Sequence, residues 1–383
     1  MINKSDFIPI ARALVSSPTA PFHEKFALQS VHEYARSRPE LCIHQDQHGN
    51  ILLNYNGTRS KRHPRLILTA HLDHPGLIFH EQITTTRLQF GLYGGVTPAL
   101  LKNTGVRIYD TALPKNQRAL RGRIIRVDIG RKHRTLATIE TVRPLAYLPS
   151  SPGTFATWDL PAWRLRGNKL HALACDDLVG ASVGLTFLDQ LLKKKVPTRA
   201  GLLLTRAEEV GFVGMLAALK ETYLDSEALY INIECSSIKA GAQMGSGPIV
   251  RVGDRMSIFN PQISAALGAS AEVLHSSHPS FRYQRKLMDS GSCEATPMVN
   301  RGLQTGAVAL PLGNYHNIGV KGLKTEHIDV GDALSLVDLL VFLAERKGGA
   351  LAAVNNTQKA LNENLDQRFS NYRTLLETTS PLA

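Results

Sequence analysis

Eight side chains able to bind a metal or move a proton sit where apolar runs end. In "LLLTRAEEVGF" (202–212) the leucines read as a strand buried on both faces, and Glu208 and Glu209 stand where it leaves the core. "LILTAHLDHPG" brings His71 and Asp73 to the end of a second such run, "LYINIE" brings Glu234 to a third, and "AVALPLGNYHN" brings His316 to a fourth. Asp176 and Asp177 stand where the chain enters a long amphipathic helix. Taken singly, each has an ordinary structural explanation: a helix cap, a solvated loop charge, a satisfied histidine. Taken together, two imidazoles and several carboxylates at the carboxyl ends of strands suit a divalent metal with nitrogen and oxygen ligands. The set exceeds what one tetrahedral ion needs, which points to two metals sharing a carboxylate. The His-x-Asp spacing adds to this, because a metal-bound imidazole usually donates its other N–H to a carboxylate.

The elements that must position these groups are legible in outline. Residues 5–16 and 23–36 read as helices separated by the breaker-rich "SSPTAPF", and "CIHQDQHGNILLNYNG" as two strands around a turn. From about 80 to 168 the texture changes to short β-like runs broken by Gly and Pro, which predicts a small barrel-like β unit inserted in a larger domain. After it, "DDLVGASVGLTFLDQLLKKK" is a helix, with Leu178, Ala181, Leu185, Leu188 and Leu192 on one face, acid at its start and lysine in its last turn. "GLLLTRA", "GMLAALKETY", "ALYINIE", "TGAVALPL" and "GDALSLVDLLVFLAERK" then alternate strand and helix. That alternation predicts an α/β fold, a mostly parallel sheet with helices on both faces. Residues 355–377 predict a last helix with Leu361, Leu365, Phe369, Tyr372 and Leu376 on one stripe, to cap the domain or to serve an oligomer contact. The expected division is a discontinuous α/β domain, 1–79 and 169–383, with 355–383 as an extra C-terminal helical segment and 80–168 as the insert.

Bulk composition narrows the class. At 383 residues the chain exceeds one small domain, no apolar run is long enough to span a bilayer, and "MINKSDFIPIARALVSSP" lacks the features of a secretory signal. Four widely spaced cysteines without a CxxC predict reduced thiols and a cytoplasmic setting. The net charge of +12 invites a nucleic-acid reading, but 14 Lys/Arg against 5 Asp/Glu fall in residues 81–168, concentrated in "RALRGRIIRVDIGRKHR" (118–134). Basic and apolar residues alternate there as on a solvated sheet face, and no RNP-type or zinc-finger motif accompanies them, so nucleic acid is not the expected partner.

The residues "AHLDHPG", "LACDDLVGA", "RAEEVGFVG", "NIECSS" and "PLGNYHN", in that order, resemble the glutamyl-aminopeptidase and tetrahedral-aminopeptidase family of dinuclear zinc exopeptidases. "SSPTAPFHE", "DQHGNILL", "LYGGVTPALLKNTGVRIY" and "DSGSCEATPMVNRGLQTGAVALPLGNYHN" extend the likeness from about residue 10 to 345. The resemblance implies two divalent ions, zinc first and cobalt or manganese as alternatives, bridged by Asp176. His71 and Glu234 would complete one side and Glu209 and His316 the other, with Asp73 orienting His71 and Glu208 as the catalytic carboxylate. It implies a cis bond at Asp176–Asp177, removal of N-terminal residues from peptides by a metal-activated water whose proton Glu208 takes, and homo-oligomers from dimers to dodecamers built through the insert. Asp289 and Glu294 are candidate partners for the substrate ammonium. Two positions depart from the family pattern: Glu234 stands where it usually has Asp, and Cys293–Glu294 where it has Thr–Asp.

The competing readings are an N-acyl-amino-acid deacylase on the same scaffold and a non-enzymatic basic assembly or nucleic-acid-binding protein. A glycoside hydrolase using Glu208 and Glu209 is disfavoured, because its two carboxyls must approach one bond from opposed sides and the histidines would have no purpose.

Overall fold

The computed structural model describes residues 1–58, 65–114, 119–130, 135–144 and 153–379. Arg118 and residues 131–134 of the basic stretch lie outside them. The chain opens with α1 (Lys4–Val15) and α2 (Lys25–Arg36), followed by the hairpin β1 (Cys42–Gln45) and β2 (Ile51–Asn56) and then β3 (Leu66–His71). Asn3 caps α1 by accepting from the backbone of Ser5 and Asp6, while Asp6 reaches back to the Asn3 amide. Next come β4 (Gly76–Gln82), β5 (Arg87–Tyr93), β6 (Gly105–Asp110), β7 (Leu120–Ile129), β8 (Thr135–Thr141) and β9 (Thr154–Trp158). These six close into an antiparallel barrel filled by Leu77, Leu88, Phe90, Val106, Ile124, Ile139 and Trp158.

The chain returns through β10 (Arg164–Arg166) and β11 (Lys169–Ala172) to the long α3 (Leu178–Lys194). Strand and helix then follow as β12 (Arg199–Thr205), α4 (Val213–Ala218), β13 (Leu229–Ser237), β14 (Ile249–Asp254), α5 (Pro261–Ser277), β15 (Gln284–Met288), α6 (Ala295–Asn300) and β16 (Gln304–Leu312). A two-residue hairpin, β17 (Ile318–Gly319) and β18 (Gly322–Leu323), precedes β19 (Glu326–Asp329), α7 (Val330–Glu345) and α8 (Gly349–Thr378). The eight-stranded sheet runs β1-β2-β12-β3-β13-β16-β14-β15, and its central four strands, β12, β3, β13 and β16, are parallel. β10, β11 and β19 form a small separate sheet.

Alternation along the central strands decides what packs where. Leu66 and Leu68, Leu202 and Leu204, and Ile231 and Ile233 enter the main core with α1, α3, α5 and α7. Ile67, Leu203 and Tyr230 point to the opposite face, under Met215 of α4 and Met298 of α6. Burial on both faces is why these strands read as unbroken apolar runs. Gly184 lets α3 approach the sheet, since a Cβ there would lie 2.5 Å from a Leu202 methyl.

The structure departs from expectation in four places. α4 stops at Ala218, where the Lys220 and Glu221 amides turn back on Ala217 and Ala218 in three-residue steps. β14, α5, β15 and α6 fill the stretch between "ALYINIE" and "TGAVALPL", which the sequence left without elements. The last helix begins at Gly349, after Gly348 takes a positive φ of 86°, and only its first turns are buried, through Ala350, Ala353 and Val354. Leu361, Leu365, Phe369, Tyr372 and Leu376 are exposed, so this stripe does not cover the core, and only the start of α8 packs against it. Residue 80 falls inside β4, and β10, before residue 169, pairs with β11 after it.

Candidate metal centre

The carboxyl ends of β3, β12, β13 and β16 and the entry to α3 converge on one place. His71 ends β3, and its Nε2 lies 3.5 Å from Asp176 Oδ1, 3.8 Å from Glu208 Oε2 and 3.9 Å from Glu234 Oε2. His316 Nε2 lies 3.1 Å from Glu209 Oε2 and 3.8 Å from Asp176 Oδ2. Most of these separations are too long for hydrogen bonds. They match ligand atoms that each stand about 2.0–2.2 Å from a shared ion. Two compact triads, His71–Asp176–Glu234 and Asp176–Glu209–His316, share Asp176, while Glu208 groups with His71 and Glu209, and Asp176 with Asp177 and Cys235. The Asp176–Asp177 bond is cis.

The environment asks for cations. Asp176 Oδ1, Glu209 Oε1, Glu234 Oε1 and His316 Nε2 are buried without a hydrogen-bond partner, a costly state that a coordinated ion would relieve. Burial, opposed by His71 and reinforced by Asp176, pushes the Glu234 carboxyl up to about 8. Burial also raises Glu208 well above the ordinary range, with Glu234 and Glu209 adding to it against the pull of His71. For His316 burial works against the charged ring, but Glu209 and Asp176 outweigh it and raise the imidazole to about 10. A donor set of two imidazoles and three carboxylates thus fits divalent cations chemically as well as in space.

A second layer fixes the ligands. Asp73 Oδ1 and Oδ2 accept from the amides of Glu208 and Glu209, 2.9 and 3.1 Å away, while Oδ1 also lies 3.4 Å from His71 Nδ1. One carboxylate therefore links the ends of β3 and β12. Three further residues do comparable work without having been singled out in the sequence. Glu326 Oε2 accepts from the amides of Cys175 and Asp176, and its Oε1 from His316. Glu24, fully buried, accepts from the Ala207 amide and pairs with Arg206 at 2.7 Å, which anchors the turn carrying Glu208. His74 bridges the Asp176 carbonyl and Asn317. Glu24 and His74 lay within quoted motifs, and only their tertiary partners reveal their use. Of the two candidate ammonium partners, Glu294 is fully buried and accepts from Thr205 Oγ1, whereas Asp289 is exposed in the turn after β15.

These burials predict a pH signature for the metal-free protein. Glu24, Glu294 and Glu326 are pushed up to about 7 and Glu234 to about 8, in each case chiefly by burial. Each group therefore holds more protons folded than unfolded once the pH passes about 4.5. Stability in chelator is expected to fall as pH rises from about 5 to 8, and added divalent metal should raise Tm more at pH 8 than at pH 5. Melting curves at the two pH values check it; a flat Tm without metal would contradict it.

A model of the M42 glutamyl aminopeptidase family matches residues 125–324, more than half of the chain. The chain belongs to that family. It is therefore a peptide hydrolase. Solved structures share the M42 chain's fold at low identity. An aminopeptidase from the archaeon Desulfurococcus kamchatkensis is 20% identical, with 90% of this chain and 95% of that one covered and a TM-score of 0.71. A TET aminopeptidase from a marine-sediment thaumarchaeon gives 17%, 91% and 99% coverage, and 0.73. The TET1 peptidase of Pyrococcus horikoshii, which assembles into a tetrahedron or a large octahedral shell, gives 18%, 89% and 100%, and 0.69. Among the described residues of this M42 chain no helix is long and apolar enough to cross a membrane.

Proposed function

We propose that the chain is a metal-dependent aminopeptidase with two divalent ions, zinc first among them, held by His71, Asp176 and Glu234 on one side and by Asp176, Glu209 and His316 on the other. The observation that carries this reading is the pair of triads sharing one buried carboxylate, with unpartnered atoms on four of their members. When bound, such ions acidify water and polarise a carbonyl. The chain's own groups supply the rest. Asp73 holds the Glu208 amide and so sets its carboxylate beside, yet outside, the two triads. From that position the Glu208 carboxylate is placed to take a proton from the attacking water and deliver it to the leaving amine.

The cavity beside Glu234 supports cleavage at a peptide end. It measures about 230 Å³, room for one large side chain rather than a continuing peptide, and is walled by Arg251, Met288, Ser292 and Tyr315. Arg251 is 3% exposed, and its buried Nε has no hydrogen-bond partner. A desolvated guanidinium on the wall of a cavity recognises a carboxylate, so the favoured first residue is acidic. Hydrolysis of matched glutamyl, leucyl and N-acetyl-glutamyl chromogenic substrates tests the reading: the unblocked glutamyl compound should be cleaved fastest. Preference for the blocked compound would favour the deacylase alternative.

Arg251→Met is expected to lower kcat/KM for glutamyl substrates about 10–100-fold, the worth of one or two hydrogen bonds to a charged group, while leucyl substrates change little. Equal losses on both would give Arg251 a purely structural part. We extend the proposal to a homo-oligomer, with the inserted unit, expected at residues 80–168 and beginning with β4 at Gly76, contributing to assembly and to substrate access. The barrel is closed and shares little with the main core, which leaves its outer wall available for contacts between copies.

A further inference from the structure

The small sheet behind the metal centre has a face that the peptidase chemistry does not use. Register aligns Arg164, His171 and His327 in one row across β10, β11 and β19, and Arg166, Lys169 and Asp329 in the next. By alternation all six project to the same side, while Leu170 and Ile328 go into the core. The single carboxylate among them, Asp329, is already engaged as the cap of α7, accepting from Gly331. The barrel exit at Leu160 and Pro161 and the loop with Leu323 and Lys324 overhang this face and border a half-open cavity of about 350 Å³.

Among the described residues, no acidic side chain lines it beside Arg164, Arg166, Lys324 and the two histidines. The His171 and His327 rings stack at 5.1 Å and 26°. His327 Nδ1 is buried and lacks a hydrogen-bond partner. Asn314, on the rim, is held by the Thr325 carbonyl, so the wall is preformed rather than a loose loop.

We propose that this cavity is a second ligand site, for a small organic anion that presents one phosphate or carboxylate group on an apolar body. The anionic group sits between Arg164, Lys324 and the paired histidines, and the body lies against Leu160, Pro161 and Leu323. The volume is that of a small-molecule site, and the concave apolar overhang distinguishes it from the open basic surface a nucleic acid would need. Burial and the surrounding Arg164, Arg166 and Lys169 depress His171, and burial with His171 and Lys169 depresses His327. The facing charges are thus Arg164, Arg166, Lys169 and Lys324 against Asp329 alone. A bound anion reverses that repulsion, so binding takes up protons.

The test is calorimetric titration of the metal-loaded full chain with phenyl phosphate, with benzoate and with uncharged benzyl alcohol. Two buffers of different ionisation enthalpy report proton uptake. The expected result is saturable binding of at least one anion with proton uptake, none of benzyl alcohol, and affinity at least tenfold weaker in an R164S/K324S variant that keeps its peptidase activity. The phosphate and carboxylate arms identify the head group. Absence of binding by both anions would overturn the proposal, and affinity unchanged in the variant would place the anion at the metal centre and overturn it equally.

Discussion

Glu208→Gln is expected to bind two metal ions per chain and to lose about 10²–10⁴-fold or more in kcat, the range for removing a general base. Glu208 lies outside both triads that share Asp176, so neutralising it leaves their charge intact. Its amide remains held by Asp73 and its turn by Glu24, so the isosteric amide occupies the same position. What is lost is a basic oxygen 3.8 Å from His71 Nε2, on a side chain whose burial makes it an avid proton acceptor. Metal analysis alongside single-turnover kinetics separates the two properties. Full turnover in a fully metallated variant would remove Glu208 from the mechanism.

Asp176→Asn acts on the other half of the account. One oxygen of Asp176 faces His71 and the other faces His316, which places it to serve both groups. The amide keeps the shape, and Glu326 continues to hold the backbone at 175 and 176. The expected result is loss of at least one ion per chain and about a thousandfold fall in kcat/KM, the scale of several kcal/mol of lost electrostatic stabilisation. Retention of two ions with activity within tenfold of the parent would show that Asp176 is not shared.

The parts legible in the sequence are those where one physical signal dominates. β3, β12, β13 and β16 are buried on both faces, so their apolar runs stand out, and the reactive residues come directly after them or at their ends. β14 is hidden because Arg251 interrupts its run, and the same arginine lines the adjoining cavity. α5 presents its core face largely through Ala and Ser, with Ile263, Leu267 and Leu274 too sparse to announce a helical period. Glu24, Glu326 and His74 act through partners on other elements, at separations of up to 243 residues. No local pattern marks such contacts. Glu294 illustrates the converse: a carboxylate near the site in sequence terms that folding buries against Thr205.

The most direct test of the account is to strip the protein with chelator and return zinc in measured equivalents while following cleavage of an unblocked glutamyl substrate and its N-acetyl counterpart. The account predicts no cleavage without metal, recovery that is complete only at two ions per chain, and cleavage of the unblocked compound alone. Activity in the stripped protein, full recovery at one ion, or equal cleavage of the blocked compound would contradict it.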